Sequence, residues 1–287
     1  MSNDAKPTAP ALTRPPVHDQ HGGLVTSYSD GVPSISYALV DEHGDVLQQS
    51  DAERVYYSAS TVKIGVLVAA LRQVQRGVWG LDDELTVTHE FASITPGAGR
   101  FVMEPGSTDP GLGSPGDVVS RARVLERMMT VSANCATNML FEDLGHDRVS
   151  AAFTDVDIYD TCMDRPYSDL AGLEAGVTNR ASALGLARFV AALARGELLD
   201  KEHTDYAKRL MIRREEPVIA SVTERLDTGS GTVTVGSKGG SVSGIVHDVA
   251  FIEHAGETRC LAICSSGFTN GQGEAVIRAV TSAILGL

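Results

Sequence analysis

Residues 61–75 place the strongest constraint on how this chain folds. Val62, Ile64, Val66, Leu67, Val68, Ala69, Ala70 and Leu71 make the helix predicted there apolar nearly all round. A helix without a polar face must be surrounded by other elements rather than laid on a surface. Ser58 or Ser60 is placed to cap its start and Gly77 to end it. Wrapping such a helix needs a long chain, and 287 residues suffice. Roughly three quarters of the surface of a chain this long is removed on folding.

The flanking sequence supplies the wrapping. Residues 34–40 alternate polar and apolar like a strand, Asp41-Glu42-His43-Gly44-Asp45 is turn chemistry, and Val46-Leu47 resumes the pattern as a hairpin. Residues 92–117, rich in Pro and Gly, read as a long loop. Residues 121–129 and 134–144 read as helices broken at Thr130-Val131-Ser132, with Gly145 ending the second. Residues 159–180 read as loop, 183–194 and 203–214 as helices, 232–237, 246–254 and 258–264 as strands, and 274–285 as a closing helix. Strands at both ends with helices between predict an α+β fold. The two ends, about 18–60 and 226–287, join in one antiparallel sheet, and about 61–225 form a helical lobe. Residues 1–17, with Pro7, Pro10, Pro15 and Pro16, read as a mobile arm.

Charge narrows the partners. Lys+Arg 24 against Asp+Glu 37 gives −13, which repels nucleic acid and anionic lipid and favours a small-molecule substrate. No apolar run approaches the ~18 residues of a membrane span, and the N-terminus lacks the apolar core of a secretory signal, which reads as cytoplasmic. Four cysteines, Cys135, Cys162, Cys260 and Cys264, suit a reducing compartment. Cys260 and Cys264 share one strand face and read as core rather than zinc ligands. Gly111-Leu112-Gly113-Ser114-Pro115-Gly116 matches a dinucleotide pattern but follows no strand and opens no helix, so it reads as surface loop. No signal of oligomeric state is visible.

The chemistry begins with lysine. The chain has five, and Lys63 sits in the first turn of its most apolar helix. A buried ammonium is costly unless paired or deprotonated. Ser60 lies three residues earlier on the same face, so a lysine of depressed pKa can take its proton. Ser132-Ala133-Asn134 occupies the break between two helices. Ser237-Lys238-Gly239-Gly240-Ser241 ends a strand, where glycines allow close approach of a substrate.

The order Ser-x-x-Lys, Ser-x-Asn, then Lys-x-Gly on a late strand resembles the penicillin-recognising serine hydrolases, above all the class A β-lactamases. The resemblance runs from about residue 30 to the C-terminus. It includes Met128–Asn138 around the second motif, Ser241–Val249 after the third, and Asn179-Arg180-Ala181-Ser182, similar to the segment that closes the family's omega loop. It implies a two-lobed α+β fold and no metal or organic cofactor. It implies Ser60 as nucleophile, Lys63 as its base or proton relay, and Ser132 as proton carrier to the leaving nitrogen. Asn134 would bind a substrate amide and Lys238 would fix charge near Ser132. The N–H groups of Ser60 and Ser241 would form the oxyanion hole beside Gly240.

Three departures bear on activity. Ala133 replaces an aspartate, and Gly239 stands where a hydroxyl residue is usual. The deacylating glutamate's place falls, through Arg165-Pro166-Tyr167, on Tyr167, which is assigned to substrate binding; Asp164, Asp169 and Glu174 are the nearby carboxylates. These features imply a serine acyl-enzyme hydrolase acting on a lactam, amide or ester carbonyl, with slow deacylation. The alternatives are a biosynthetic acyl-transferase or a non-catalytic ligand-binding protein on the same scaffold.

Overall fold

The computed structural model describes residues 17–18, 24–104, 108–223 and 232–287. Its centre is a five-stranded antiparallel sheet built from both chain ends. The strands are β1 (Ser34–Asp41), β2 (Val46–Ser50), β3 (Thr234–Val242), β4 (Gly244–His254) and β5 (Glu257–Phe268), in the order β3-β4-β5-β1-β2. Eight helices matter to the site: α1 (Lys63–Gln75), α2 (Arg121–Thr130), α3 (Asn134–Leu144), α4 (His146–Thr154), α5 (Leu170–Glu174), α6 (Ala183–Ala194), α7 (Lys201–Ile212) and α8 (Asn270–Leu285). No described helix is long and apolar enough to cross a membrane.

Period-two alternation divides the sheet between two cores. Ala38, Val40, Val249, Phe251, Cys260, Ala262 and Cys264 face the helical lobe. Leu39, Ala250, Ile252, Leu261 and Ile263 face the other way, where Ile277 of α8 joins them. Cys260 and Cys264 therefore share a buried face as expected, and all four cysteines are free thiols.

The central helix is as enclosed as its composition demands: every residue from Lys63 to Leu71 is buried. Gly65 admits a neighbour, since a Cβ there would lie 2.1 Å from the Phe153 ring of α4. Its cap differs from expectation. Neither Ser58 nor Ser60 caps it; the N-cap is Val62, and the Ser58 hydroxyl donates instead to Ala59 O. Gly77, at φ 69°, follows the last turn as expected.

Several boundaries also move. The third strand runs to Val242, so Lys238-Gly239-Gly240-Ser241 lies inside it rather than at its end. The 92–117 stretch holds a short strand, Arg100–Val102, paired with Glu90–Ala92. The 159–180 stretch holds α5, started by the Asp169 cap. The last helix begins at Asn270 because Thr269 and Gln272 form a capping box. The arm expected over 1–17 lies outside the described residues except for Val17, which pairs with Val25.

Candidate active site

Three segments converge on Ser60 and Lys63: the turn leading into α1, the α2–α3 break, and β3. In these three segments two positions are held in the left-handed backbone region without being glycine, Ala59 at φ 47° and Ser132 at φ 63°. Such conformations cost energy and persist where surrounding contacts impose them. Both lie in the loops that present the serines.

Gly240 brings β3 against the turn that carries Ser60. A Cβ there would lie 2.2 Å from Ser60 N, a backbone atom that cannot swing away. Gly240→Ala is therefore expected to displace the Ser60 amide and slow acylation by about 100-fold or more while the protein stays folded. Rates measured beside circular dichroism check this; an unchanged rate would mean that strand and nucleophile are not coupled.

Lys63 is fully buried. Its Nζ donates to Ser132 O at 2.6 Å and Asn134 Oδ1 at 2.7 Å, and lies 3.3 Å from Ser132 Oγ. Burial pulls its pKa down to about 7. As a neutral amine it still has two N–H groups for the two short contacts, and its lone pair is left over. Lys238 is equally buried and donates to Ser132 Oγ at 2.9 Å and Gly239 O at 2.7 Å. Burial lowers its pKa well below the usual lysine range, with the charges of Lys63 and Arg214 adding to the effect. The Ser132 hydroxyl thus sits between two amines, an arrangement suited to passing a proton.

Ser60, Ser132, Asn134, Gly240 and Ser241 line one cavity of about 300 Å³. The structure brings these expected site residues together, with Lys63 and Lys238 buried behind them. Tyr167 is placed differently from its assignment to substrate binding. It is 6% exposed, does not line the cavity, and its hydroxyl donates to Ala59 O at 2.7 Å. Its ring lies 4.5 Å from Lys63 Nζ, and its phenol also faces the Ser60 hydroxyl. Burial raises its pKa well above the ordinary tyrosine value, so it is no base at neutral pH. Asn138 clamps its backbone, accepting from Tyr167 N and donating to Tyr167 O.

The nearby carboxylates are engaged elsewhere or exposed. Asp164 pairs with Arg180 at 2.5 Å. Asp169 accepts from the Ser93 hydroxyl and from the backbone of Ile94 and Gly172. Glu174 is exposed on α5.

Sequence reasoning missed two residues. Arg214 lines the cavity and donates to the fully buried Asp248 at 2.8 Å. A Cβ on Gly239 would fall 2.4 Å from its guanidinium, so the glycine that replaces a hydroxyl residue makes room for a cation. The partners are far apart in sequence, and only the glycine inside a strand hinted at a close neighbour. The second is His247, paired with Gly240 across the sheet. Its Nε2 lies 2.9 Å from Tyr57 O, and its Nδ1 lies 2.8 Å from Val246 O and 3.1 Å from Ser265 N. Burial lowers its pKa to about 4 and keeps it neutral, and its contact with Tyr57 O ties the turn before Ser60 to the sheet.

The sequence matches the model of the "Beta-lactamase enzyme family" over residues 22–286. The chain belongs to the beta-lactamase enzyme family. This family member is a hydrolase of serine β-lactamase type with the β-lactamase/transpeptidase-like fold. Solved structures agree on that fold. The beta-lactamase from Sphaerobacter thermophilus superposes with a TM-score of 0.72 at 22% identity, covering 89% of this chain and 91% of that one. PBP-A superposes at 0.69 and 23% identity with the same coverages. A leucine-to-glutamate variant of PBP-A, solved as its acyl-enzyme complex with penicillin G, gives the same values. Among curated proteins, none matches the sequence significantly.

Proposed function

We propose that this family member forms an acyl-enzyme on Ser60 from a lactam, amide or ester carbonyl and releases it slowly. The observation that carries the reading is the surrounding of Lys63. It is buried, has a pKa near 7, and faces an aromatic ring where a carboxylate would be needed to activate water. Lys63 takes the Ser60 proton as Oγ attacks the carbonyl carbon. The N–H groups of Ser60 and Ser241 receive the developing oxyanion. The proton passes through Ser132 to the leaving nitrogen or oxygen as the C–N or C–O bond breaks. Lys238 and Arg214 hold the negative end of the substrate, and Asn134 holds its amide.

Hydrolysis of the ester then needs a base for water. Tyr167 cannot serve, and Asp164 and Asp169 are bound elsewhere. The expected result with a chromogenic cephalosporin, penicillin G and an activated ester is a lasting mass adduct on Ser60 with little turnover. Intact-protein mass spectrometry at seconds and hours reads both. Rapid turnover without an adduct would overturn slow release, and no adduct with any donor would overturn acylation itself. The same tyrosine favours a second reading, acyl transfer to an amine or alcohol. Added amines would then shorten the adduct's life and yield the corresponding amide.

A further inference from the structure

The 159–180 stretch gathers a second group of chemistry-bearing side chains. Cys162 and Asp164 lie two residues apart, so their side chains leave the chain on one side. Met163, between them, is buried in the main core. The backbone there is held firmly: Cys162 N donates to Arg180 O at 2.9 Å, Arg180 N donates to Cys162 O at 3.0 Å, and Asn179 Oδ1 accepts from Asp164 N at 2.9 Å. His146 opens α4 and brings its imidazole to the same place. Its Nε2 lies 3.2 Å from Asp164 Oδ1, and one nitrogen, one sulfur and one oxygen from the three residues all lie within 4.8 Å of one another. Among the described residues no other three His, Cys, Asp or Glu side chains are gathered this closely.

The group has open space beside it. A cavity of about 440 Å³ is lined by His146 and Asp164 together with Ile94, Val177, Thr178 and Arg180, and it shares no lining residue with the cavity at Ser60. Cys162 is buried behind the other two. Donors around a tetrahedral zinc ion stand about 3.3–3.7 Å apart. The His146–Asp164 pair already has nearly that spacing, and the sulfur reaches it by moving about an ångström at most. Arg180 binds the other oxygen of Asp164, Oδ2, which leaves Oδ1 to the group. On the far side of the imidazole, Asp147 faces Nδ1 at 3.6 Å, where a carboxylate orients a ligating histidine. Nitrogen, thiolate and carboxylate in one set suit zinc, and they do not suit magnesium or calcium, which take oxygen alone.

We propose that His146 Nε2, Cys162 Sγ and Asp164 Oδ1 bind a zinc ion whose fourth ligand is water from the adjoining cavity. On binding, the Cys162 S–H bond breaks, its electron pair goes to the metal and its proton leaves to solvent. The imidazole carries its hydrogen on Nδ1, toward Asp147. The ion fastens the start of α4 to the stretch that carries Tyr167. The site stands apart from the acylation chemistry and is tested without substrate.

The full chain, stripped of metal by a chelator, is titrated with zinc, cobalt or magnesium chloride at matched ionic strength. One zinc should bind per chain, and Tm should rise by about 3–5 °C for each tenfold increase of zinc above its dissociation constant, with no such rise in magnesium. Cobalt should give the strong visible bands of a tetrahedral site and a thiolate-to-metal band in the near ultraviolet. Cys162→Ser should remove the ultraviolet band. Cys162→Ser and His146→Ala should each weaken zinc binding by about 100-fold or more, since losing even a partner behind a ligand can cost that much. Crystals soaked in zinc should show an anomalous peak among the three donor atoms. No peak there, equal effects of zinc and magnesium, or zinc binding undiminished in Cys162→Ser would each overturn the proposal. The soaked crystals and the cobalt spectrum need only the wild-type protein, so the test stands even where a variant fails to fold.

Discussion

Ser60→Ala is expected to abolish covalent labelling by penicillin G and by activated esters, lowering acylation by about 10⁴-fold or more. Losing the nucleophile of a cooperating serine–base unit costs about as much as losing the whole unit. What residual rate survives comes from binding and the oxyanion groups, which the substitution leaves in place. The fold should be untouched, because Ser60 caps no helix and its place in the turn is set by neighbours: Ala59 O is held by Tyr167, and Gly240 packs against the Ser60 amide. Intact-protein mass spectrometry beside thermal unfolding reads both properties. An adduct of undiminished yield in this variant would move the chemistry to another residue.

Lys63→Met should lower acylation by about 10²–10⁴-fold, the range general-base removal commands. Methionine fills much of the same space without the amine. The pH profile separates a catalytic loss from a structural one. A base works only when neutral, and the neutral fraction of Lys63 grows as pH rises through about 7. Wild-type acylation should therefore climb about tenfold per pH unit below that value and level off above it. The variant should lack this climb. A wild-type rate flat between pH 5 and 9 would count against Lys63 as the base; Lys238 is depressed too, so a climb that survives in the variant would move the base there.

What could be read in advance, and what could not, follows from how far apart the interacting residues lie. The Ser60–Lys63 relation is local, one helical turn, and was legible. So was the alternation that puts Ala38, Cys260 and Cys264 on one sheet face. The placement of Ser132 and Asn134 at a helix break was legible because two apolar periodicities stop there. The Arg214–Asp248 pair was not, because nothing in either local pattern names the other. α4 was missed although Val149, Ala152 and Phe153 are spaced for one buried face; nine residues give too few turns for periodicity to stand out. The Ser58 and Ser60 caps failed for a tertiary reason. The serine expected to close the helix is drawn into the site, and Val62 ends up at the N-cap. Tyr167 could be aligned by its neighbours, but its burial and its bond to Ala59 exist only once a distant loop is folded over α1.

The sheet order has a consequence for how the molecule is made. β1 does not lie between near neighbours in sequence: it is flanked by β2 and by β5, with Asp41 opposite Arg259 and Ser34 opposite Ser266. During synthesis the N-terminal hairpin emerges long before that partner exists. At a ribosomal pace of about 5–20 residues per second, the wait is on the order of ten seconds or more. Throughout that interval one edge of β1, with Ala38 and Val40 bound for the core, has no strand beside it. The nucleophile's turn shares the wait, since Gly240 and His247 arrive in the same late stretch. Reactivity at Ser60 thus becomes a property of the finished polypeptide rather than of its N-terminal half.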